Sequence, residues 1–163
     1  MPNLVYILLG SNLGESKQNL VRANQLIKNT IGSIDRKSSL YKTAAWGKTD
    51  QAAFINQVIL VRTKLNAREF LQELLSIETQ MGRVRINKWE PRVIDLDILF
   101  YGKQILQEED LVIPHPQLQN RRFTLIPLVE IAPNFVHPVL KKNMEELLAI
   151  CNDNLTVEKL PIN

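Results

Sequence analysis

The 163-residue sequence has few of the residues that staple small secreted or metal-dependent domains. It contains one cysteine, Cys151, and two histidines, which excludes an internal disulfide and a structural zinc site with four Cys or His ligands. No stretch approaches the roughly 20 apolar residues of a transmembrane helix, and the N-terminus lacks the pattern of a signal peptide. The sequence therefore predicts a cytoplasmic protein that is neither secreted nor inserted in a membrane.

The common nucleotide-binding and hydrolase motifs are also missing. There is no phosphate loop ending in Gly-Lys-Ser/Thr, no dinucleotide-binding glycine fingerprint, no Gly-x-Ser-x-Gly turn and no zinc-protease histidine pair. What is present is 45% hydrophobic and 23% charged residues with a net charge of +3, the composition of one globular domain. If this chain uses ATP, the nucleotide is bound by another architecture.

Apolar periodicity divides the chain into short strands and helices. A continuous apolar run predicts a strand over residues 4–9, and helical spacing predicts a helix over residues 16–31. Asn66 followed by Glu69 is a capping-box pattern, which predicts a second helix over residues 66–81. The remaining predicted elements are strands over residues 38–43, 54–63 and 93–101 and a last helix over residues 143–150.

The element order β, α, β, β, α, β predicts an α+β fold with a ferredoxin-like split βαβ core. Its mainly antiparallel sheet is expected to be covered by helices on one side, with the C-terminal third as additions. No linker or repeat divides the chain, so residues 1–163 are predicted to form a single domain.

Two aspartates interrupt the otherwise apolar strand over residues 93–101. Because side chains alternate along a strand, Asp95 and Asp97 are predicted to share one face, about 7 Å apart. The opposite face is predicted to carry Ile94, Leu96, Ile98 and Phe100. A carboxylate pair of this kind suits Mg²⁺ with bound phosphate, and the alternative is a solvent-exposed pair without function.

The loop before this strand is basic. Arg83, Arg85, Lys88 and Arg92 accompany Trp89 directly upstream of the aspartates. Guanidinium groups bind phosphate oxygens in bidentate fashion, which phosphoryl-type transfer requires. A solvated basic loop is the alternative, and it is less favoured because the loop leads straight into the aspartates.

Three further positions are unusual for a simple core. Phe54 and Asn56 share a strand face, so they offer an aromatic surface and an amide to a planar heterocycle, or a core residue and a turn partner. Glu78 lies on the apolar stripe of its helix, where it needs either a ligand amine or an arginine as partner. His115 lies between Pro114 and Pro116, a rigid setting that orients the ring or merely forms a turn.

Several of these segments together resemble one family. The segments are Arg92-Val93-Ile94-Asp95-Leu96-Asp97-Ile98, Gly82-Arg83-Val84-Arg85, Ile113-Pro114-His115-Pro116 and Arg121-Arg122-Phe123. They are similar to those of the 6-hydroxymethyl-7,8-dihydropterin pyrophosphokinases of folate biosynthesis. The resemblance covers nearly the whole chain and implies a ferredoxin-like fold. The implied reaction transfers pyrophosphate from ATP to the pterin hydroxymethyl group and releases AMP.

The resemblance also implies which residues form the site. Asp95 and Asp97 are expected to bind two Mg²⁺ ions and, with Arg83 and Arg92, to be catalytic. ATP contacts are expected from Glu78, Arg83, Arg85, Trp89, Arg92, Ile98, His115 and Arg121. Pterin contacts are expected from Thr43, Ala44, Ala45, Trp46, Phe54, Asn56, Trp89, Asp95 and Phe123.

Two other functions remain open at this stage. A small basic ferredoxin-like domain can bind RNA through exposed aromatic residues, although the strands lack such a pattern and the aspartates would repel a nucleic-acid backbone. A metal-dependent phosphohydrolase can use the same carboxylates with an activated water. The favoured interpretation is a monomeric enzyme with no nucleic-acid or membrane partner.

Overall fold

The structure is a computed structural model that describes residues 1–44, 52–82 and 93–162. A short 3₁₀ helix occupies Leu118–Asn120. In chain order the strands and α-helices are β1 Asn3–Ser11, α1 Ser16–Thr30, β2 Gly32–Lys37, β3 Tyr41–Thr43, β4 Phe54–Thr63, α2 Ala67–Gln80, β5 Asp95–Tyr101, β6 Leu106–Glu108, β7 Leu111–Ile113, α3 Arg122–Ile131, α4 Met144–Ile150 and β8 Val157–Lys159.

The main sheet has the strand order β5-β1-β4-β3-β8, with β2 also paired to β4, and its pairs are antiparallel. β2 and β3 pair with the same edge of β4, β2 along its second half and β3 along its first residues. Taken as one strand, they complete the split βαβ arrangement. The predicted α+β, ferredoxin-like fold is therefore confirmed, with β6 and β7 forming a separate hairpin.

The single strand predicted over residues 38–43 is corrected to two. β2 occupies Gly32–Lys37, and only Tyr41–Thr43 of the predicted range is strand. β2 was missed because its sequence, Gly-Ser-Ile-Asp-Arg-Lys, is polar and its side chains are mostly exposed. An edge strand of this kind lacks the apolar alternation on which prediction depends.

Both faces of the sheet are buried. On one face, Val5, Ile7 and Leu9 pack with α1 and α2 residues in the larger hydrophobic cluster. On the other, Tyr6 and Leu8 pack with residues of α3 and α4; this side is the α3 face. The expectation of helices on one side is wrong, because the C-terminal third supplies a second helical layer.

The alternation predicted for β5 holds only up to Ile98. Leu99 is an extra residue between the pairs Ile7–Ile98 and Tyr6–Phe100, so the register shifts by a β-bulge. Phe100 consequently packs on the α3 face with Tyr6, at a ring-centroid distance of 6.2 Å. The prediction that Phe100 shares the face of Ile94, Leu96 and Ile98 is wrong for this reason.

The predicted starts of the second and the last helix are confirmed by their caps. Asn66 accepts from the Glu69 backbone N–H, and the Glu69 carboxylate accepts from the Asn66 N–H, both at 2.9 Å. Asn143 and Glu146 form the same reciprocal box at α4. No helix within the described ranges combines the length and apolar character needed to cross a bilayer.

Candidate active site

Asp95 and Asp97 lie at the start of β5, the edge strand next to β1. Antiparallel pairing sets Asp95 opposite Gly10 and Asp97 opposite Leu8. Because paired residues project to the same side of a sheet, both carboxylates lie on the α3 face with Leu8. Each Asp is half-buried. The structure places the two carboxylates on one face, as the alternation predicts.

A row of four residues crosses the sheet at this level. Asp95 pairs with Gly10, Gly10 with Asn56, and Asn56 with Tyr41. Neighbouring strands lie about 4.8 Å apart, so Asp95 and Asn56 are separated by about 10 Å. The β5 carboxylates and the β4 amide therefore project from strands that are two positions apart on the same face.

Gly10 matters because it has no side chain at the centre of this row. A Cβ on Gly10 would lie 2.7 Å from Asn56 Nδ2 and 3.6 Å from a Phe54 ring carbon. The Asn56 side chain instead reaches across β1, where Nδ2 donates a hydrogen bond of 3.3 Å to the Leu9 carbonyl. That bond fixes the orientation of the amide and points its donor toward the protein.

Two buried acceptors in this region have no hydrogen-bond partner within the described part of the chain. They are Asn56 Oδ1 and Thr43 Oγ1. Thr43 pairs with Phe54 across β3 and β4, so both acceptors lie on the α3 face near the Phe54 ring. Leaving a buried polar atom unsatisfied costs about 1–3 kcal/mol, and a hydrogen-bonding ligand would recover that cost.

The start of α3 brings a second aromatic ring and a cation to the same face. Phe123 is half-buried against the α3-face cluster. The Arg121 guanidinium carbon lies 5.7 Å from the Phe123 ring centroid, within cation–π range. Phe54 therefore lies in the sheet layer and Phe123 in the helix layer on the same side of the sheet.

Tyr41 is held at the end of the row by Glu130 of α3. The Tyr41 hydroxyl donates to Glu130 at 2.8 Å, and the same carboxylate accepts from the backbone N–H and the hydroxyl of Ser39. Burial, with a smaller contribution from Glu130, raises the pKa of Tyr41, so the phenol remains a donor. This network ties β3 to α3 beside Thr43.

His115 lies near both Arg121 and Asp95. Its backbone N–H donates to the Leu99 carbonyl at 3.0 Å, and its Nδ1 accepts from the Gln117 N–H at 3.1 Å. Burial, and secondarily the Arg121 charge, lower the pKa of His115 to about 4, although Asp95 acts in the opposite direction. The imidazole is therefore neutral at physiological pH.

Comparison with known proteins identifies this arrangement. Residues 6–133 match the family described as 7,8-dihydro-6-hydroxymethylpterin-pyrophosphokinase (HPPK). The pyrophosphokinase of Synechocystis is 43% identical over 141 residues, which are 86% of this chain and 72% of the relative. That of Aquifex aeolicus is 37% identical over 142 residues, 87% of this chain and 88% of the relative. The chain belongs to the HPPK family.

Solved structures agree on the fold. A crystal structure of a Plasmodium falciparum HPPK-DHPS triple mutant with pteroate covers 91% of this chain with a TM-score of 0.73 at 17% identity. Another, with SDX-DHP, gives a TM-score of 0.75 at 19% identity. This chain spans only 43% and 44% of those two chains. At such identities the likeness establishes the architecture alone.

Membership of the HPPK family makes this chain a transferase of folate biosynthesis. Its reaction is pyrophosphoryl transfer from ATP to hydroxymethyldihydropterin. The RNA-binding and phosphohydrolase alternatives gain no support. An RNA-binding sheet would expose the α3 face, but α3 and α4 cover it at Tyr6, Leu8, Val58 and Leu60.

Several predicted site residues lie outside the described ranges, and the side chain of one predicted ATP contact, Ile98, faces away from the site. Ile98 is buried in the core on the opposite side of the sheet from the carboxylates, so only its backbone is suited to touch a nucleotide. Ala44 is described and exposed. Outside the described residues lie Ala45, Trp46, Arg83, Arg85, Trp89 and Arg92.

Glu78 has a partner that sequence reasoning did not consider. Its carboxylate accepts a 2.7 Å hydrogen bond from the backbone N–H of Leu96, the residue between Asp95 and Asp97. The predicted choice lay between a ligand amine and an arginine. Glu78 is 3% exposed, so this bond gives the carboxylate a structural reason for its place in the apolar stripe.

The donor set of β5 fits Mg²⁺ in the manner of a nucleotide enzyme. Mg²⁺ is usually held by one or two carboxylates and completes its shell with water and substrate phosphates. Within residues 1–44, 52–82 and 93–162, no group of three or more His, Cys, Asp or Glu side chains forms a metal site. Asp95 and Asp97 supply the one or two carboxylates that this mode of Mg²⁺ binding requires.

The lowered pKa of His115 predicts how stability depends on pH. The unfolded chain takes up the proton near pH 6.5 and the folded protein only near pH 4, so stability falls as the pH drops through this interval. Between pH 7 and 5 the loss assigned to His115 is about 2 kcal/mol. The test is to measure the unfolding free energy of the metal-free native protein and of His115→Asn at pH 7 and at pH 5, and to compare how much each loses.

Asparagine is the matched substitution because its Oδ1 can replace Nδ1 as acceptor for the Gln117 N–H. His137, whose pKa is lowered by burial and by Lys103, is present in both proteins, so its contribution cancels. Equal pH slopes in the two proteins would contradict the assignment.

Proposed function

We propose that the pyrophosphoryl transfer takes place on the α3 face, between the carboxylates of β5 and the amide of Asn56. The observation that carries this proposal is the row Asp95–Gly10–Asn56. It sets the carboxylate pair on one face with a buried acceptor that has no hydrogen-bond partner among the described residues. ATP phosphates and a pterin have complementary requirements. The phosphates need cations near β5, and the pterin needs hydrogen bonds near β4.

Asp95 and Asp97 would hold two Mg²⁺ ions together with the ATP phosphates. Such ions neutralise charge on the phosphoryl oxygens and orient them for in-line transfer. The half-buried setting of both carboxylates supports this role, since a partly desolvated site strengthens electrostatic interactions. Arg83 and Arg92 complete the predicted catalytic set.

The rest of the nucleotide site is assigned by family resemblance and by position. Arg121 and neutral His115 flank the α3 face, where a cation can pair with phosphate and an imidazole can hydrogen-bond without adding charge. Glu78 would contribute through the segment that it fixes, at Leu96. Arg85, Trp89 and the backbone of Ile98 are the other proposed ATP contacts.

The pterin is proposed to stack between Phe54 and Phe123. Asn56 Oδ1 would accept hydrogen bonds from the amino-pyrimidine edge, with Thr43 as a further polar contact. A planar heterocycle rich in N–H donors fits two buried acceptors beside two aromatic rings. The other proposed pterin contacts are Ala44, Ala45, Trp46, Trp89 and Asp95.

The proposed mechanism relies on positioning and charge neutralisation. The hydroxymethyl oxygen forms a bond to the β-phosphorus of ATP, the bond between that phosphorus and the bridging oxygen to the α-phosphate breaks, and AMP leaves. The hydroxyl proton passes to solvent. Phosphoryl-type transition states need little covalent help from protein, so no side-chain general base is assigned.

The functional unit is proposed to be one domain acting as a monomer in the cytoplasm. Pairing of β8 with β3 incorporates the C-terminal residues into the main sheet, which supports a single unit.

The activity is tested by AMP formation from ATP and Mg²⁺ with and without hydroxymethyldihydropterin. We expect AMP to appear only when the pterin is present, because attack requires the hydroxymethyl oxygen. Inorganic phosphate released without pterin would instead indicate a hydrolase. ATP binding without any AMP would retain the nucleotide site and refute the pterin acceptor.

Replacing Asp97 by Ala tests the metal assignment. We expect kcat to fall at least about 10³-fold, because a phosphoryl site that loses its charge neutralisation loses most of its transition-state stabilisation. The matched control is Asp110→Ala, which removes an exposed carboxylate of the β6–β7 turn that is paired with Arg68 of α2. Turnover near that of the native enzyme in Asp97→Ala would refute the assignment.

Replacing Gly10 by Ala tests the pterin assignment. The added Cβ would displace the Asn56 amide, so we expect the KM for pterin to rise roughly 10- to 100-fold, the equivalent of one or two lost buried hydrogen bonds. The KM for ATP should change by less than about twofold, since the change faces Asn56.

The control is the double variant Gly10→Ala, Asn56→Ala. If Gly10 acts through Asn56, the double variant should be no worse for pterin than Asn56→Ala alone. Additive losses would show that Gly10 contributes independently of Asn56.

A further inference from the structure

The first turn of α3 is capped by a residue from outside the helix. The residue at its N-cap position, Arg121, makes no side-chain cap hydrogen bond. Asp153, 31 positions after Arg122, accepts a 3.0 Å hydrogen bond from the Arg122 backbone N–H through Oδ2. A carboxylate at this position satisfies an N–H that the helix itself cannot pair, and it also interacts favourably with the helix dipole.

Asp153 is itself fixed in place. Its second oxygen, Oδ1, accepts a 3.0 Å hydrogen bond from the backbone N–H of Leu155. With each oxygen bound to a different backbone N–H, the carboxylate links the start of α3 to the C-terminal segment. The side chain is half-buried, so water competes less for these bonds than at a fully exposed site.

The same C-terminal segment also supports β3. Thr43 pairs with Val157 and Tyr41 with Lys159, and the Leu160 N–H donates to the Leu40 carbonyl at 2.9 Å. The segment therefore contacts both structures that border the proposed pterin pocket, the first turn of α3 with Phe123 and the end of β3 with Thr43. It lies outside residues 6–133, the part that matches the family.

We propose that Asp153 is a positioning residue for the pterin, which holds Phe123 in its stacking position by fixing the first turn of α3. This inference rests on the proposed pterin site. Phe123 follows Arg122 directly, so the Asp153 bond acts on the turn that carries the ring. Arg121 is held independently, because its backbone N–H donates to the Leu118 carbonyl of the preceding 3₁₀ helix.

Asp153→Ala tests the proposal. With the cap removed, only a fraction of the molecules keep an ordered first turn, and apparent affinity falls by that fraction. We expect the KM for pterin to rise at least about fivefold, with kcat and the KM for ATP within about twofold of native. Asp153→Asn, which keeps one acceptor oxygen, should lie closer to the native value than Asp153→Ala.

The matched control is Asn143→Ala. It removes a cap of similar strength from α4, which packs in the same cluster but carries no proposed ligand contact. We expect it to lower the melting temperature without raising the KM for pterin. A purely structural Asp153 would behave in the same way, lowering the amount of active enzyme and leaving KM unchanged, and that result would overturn the proposal.

Phe123→Ala separates this inference from the assignment on which it depends. If Phe123→Ala raises the KM for pterin and Asp153→Ala does not, the pterin site stands and the positioning role of Asp153 is refuted. If Phe123→Ala leaves the KM for pterin unchanged, the stacking assignment fails and the role of Asp153 fails with it.

Discussion

The pairing of β1 with both β4 and β5 is the constraint on which the rest of the site depends. This pairing sets the Asp95 carboxylate and the Asn56 amide on the same face of the sheet, with Gly10 between them. A side chain at Gly10 would occupy the space that Asn56 uses. The distance between the two functional groups is therefore set by strand spacing, which is the least variable dimension of a sheet.

That arrangement also explains why the sheet needs two helical layers. β1 is apolar over Val5 to Leu9, and burial of alternate residues on α1 and α2 leaves Tyr6 and Leu8 to be covered from the other side. α3 and α4 provide this cover. Because α3 is needed for packing, its first turn brings Phe123 and Arg121 to the α3 face without any additional element. The Glu130 bonds to Tyr41 and Ser39 keep β3 in register with that helix.

Local signals in the sequence were sufficient for the elements that depend on local physics. The capping box of Asn66 and Glu69 located α2, and the strand predicted over residues 54–63 has the bounds of β4, Phe54–Thr63. β2 escaped because an exposed edge strand needs no apolar alternation. Phe100 was placed on the wrong face because a bulge depends on the partner strand, and nothing in the residues of β5 alone specifies it. The second helical layer was missed for a similar reason, since its role depends on which sheet face remains uncovered.

The site residues show the same difference between features set by local sequence and features set by tertiary contacts. Alternation correctly placed Asp95 with Asp97 and Phe54 with Asn56, since side chains within one strand need no tertiary information. Gly10 was not among the predicted site residues, although a glycine at the end of an apolar strand can mark the close approach of another group. Asp153 gave no signal, because a cap supplied from 31 residues away has no sequence spacing to detect.

Glu78 connects stability with function at the edge of the sheet. β5 is an outer strand, and an outer strand exposes backbone N–H groups that favour pairing with other chains. The Glu78 carboxylate satisfies one of them, at Leu96, from the buried side of α2. Because a side chain and not another strand pairs with this N–H, no strand lies beside Asp95 and Asp97 on the outer side of β5 in the described part of the chain. The carboxylate that interrupts the apolar stripe of α2 thus satisfies a backbone N–H of the edge strand that carries the proposed metal-binding pair.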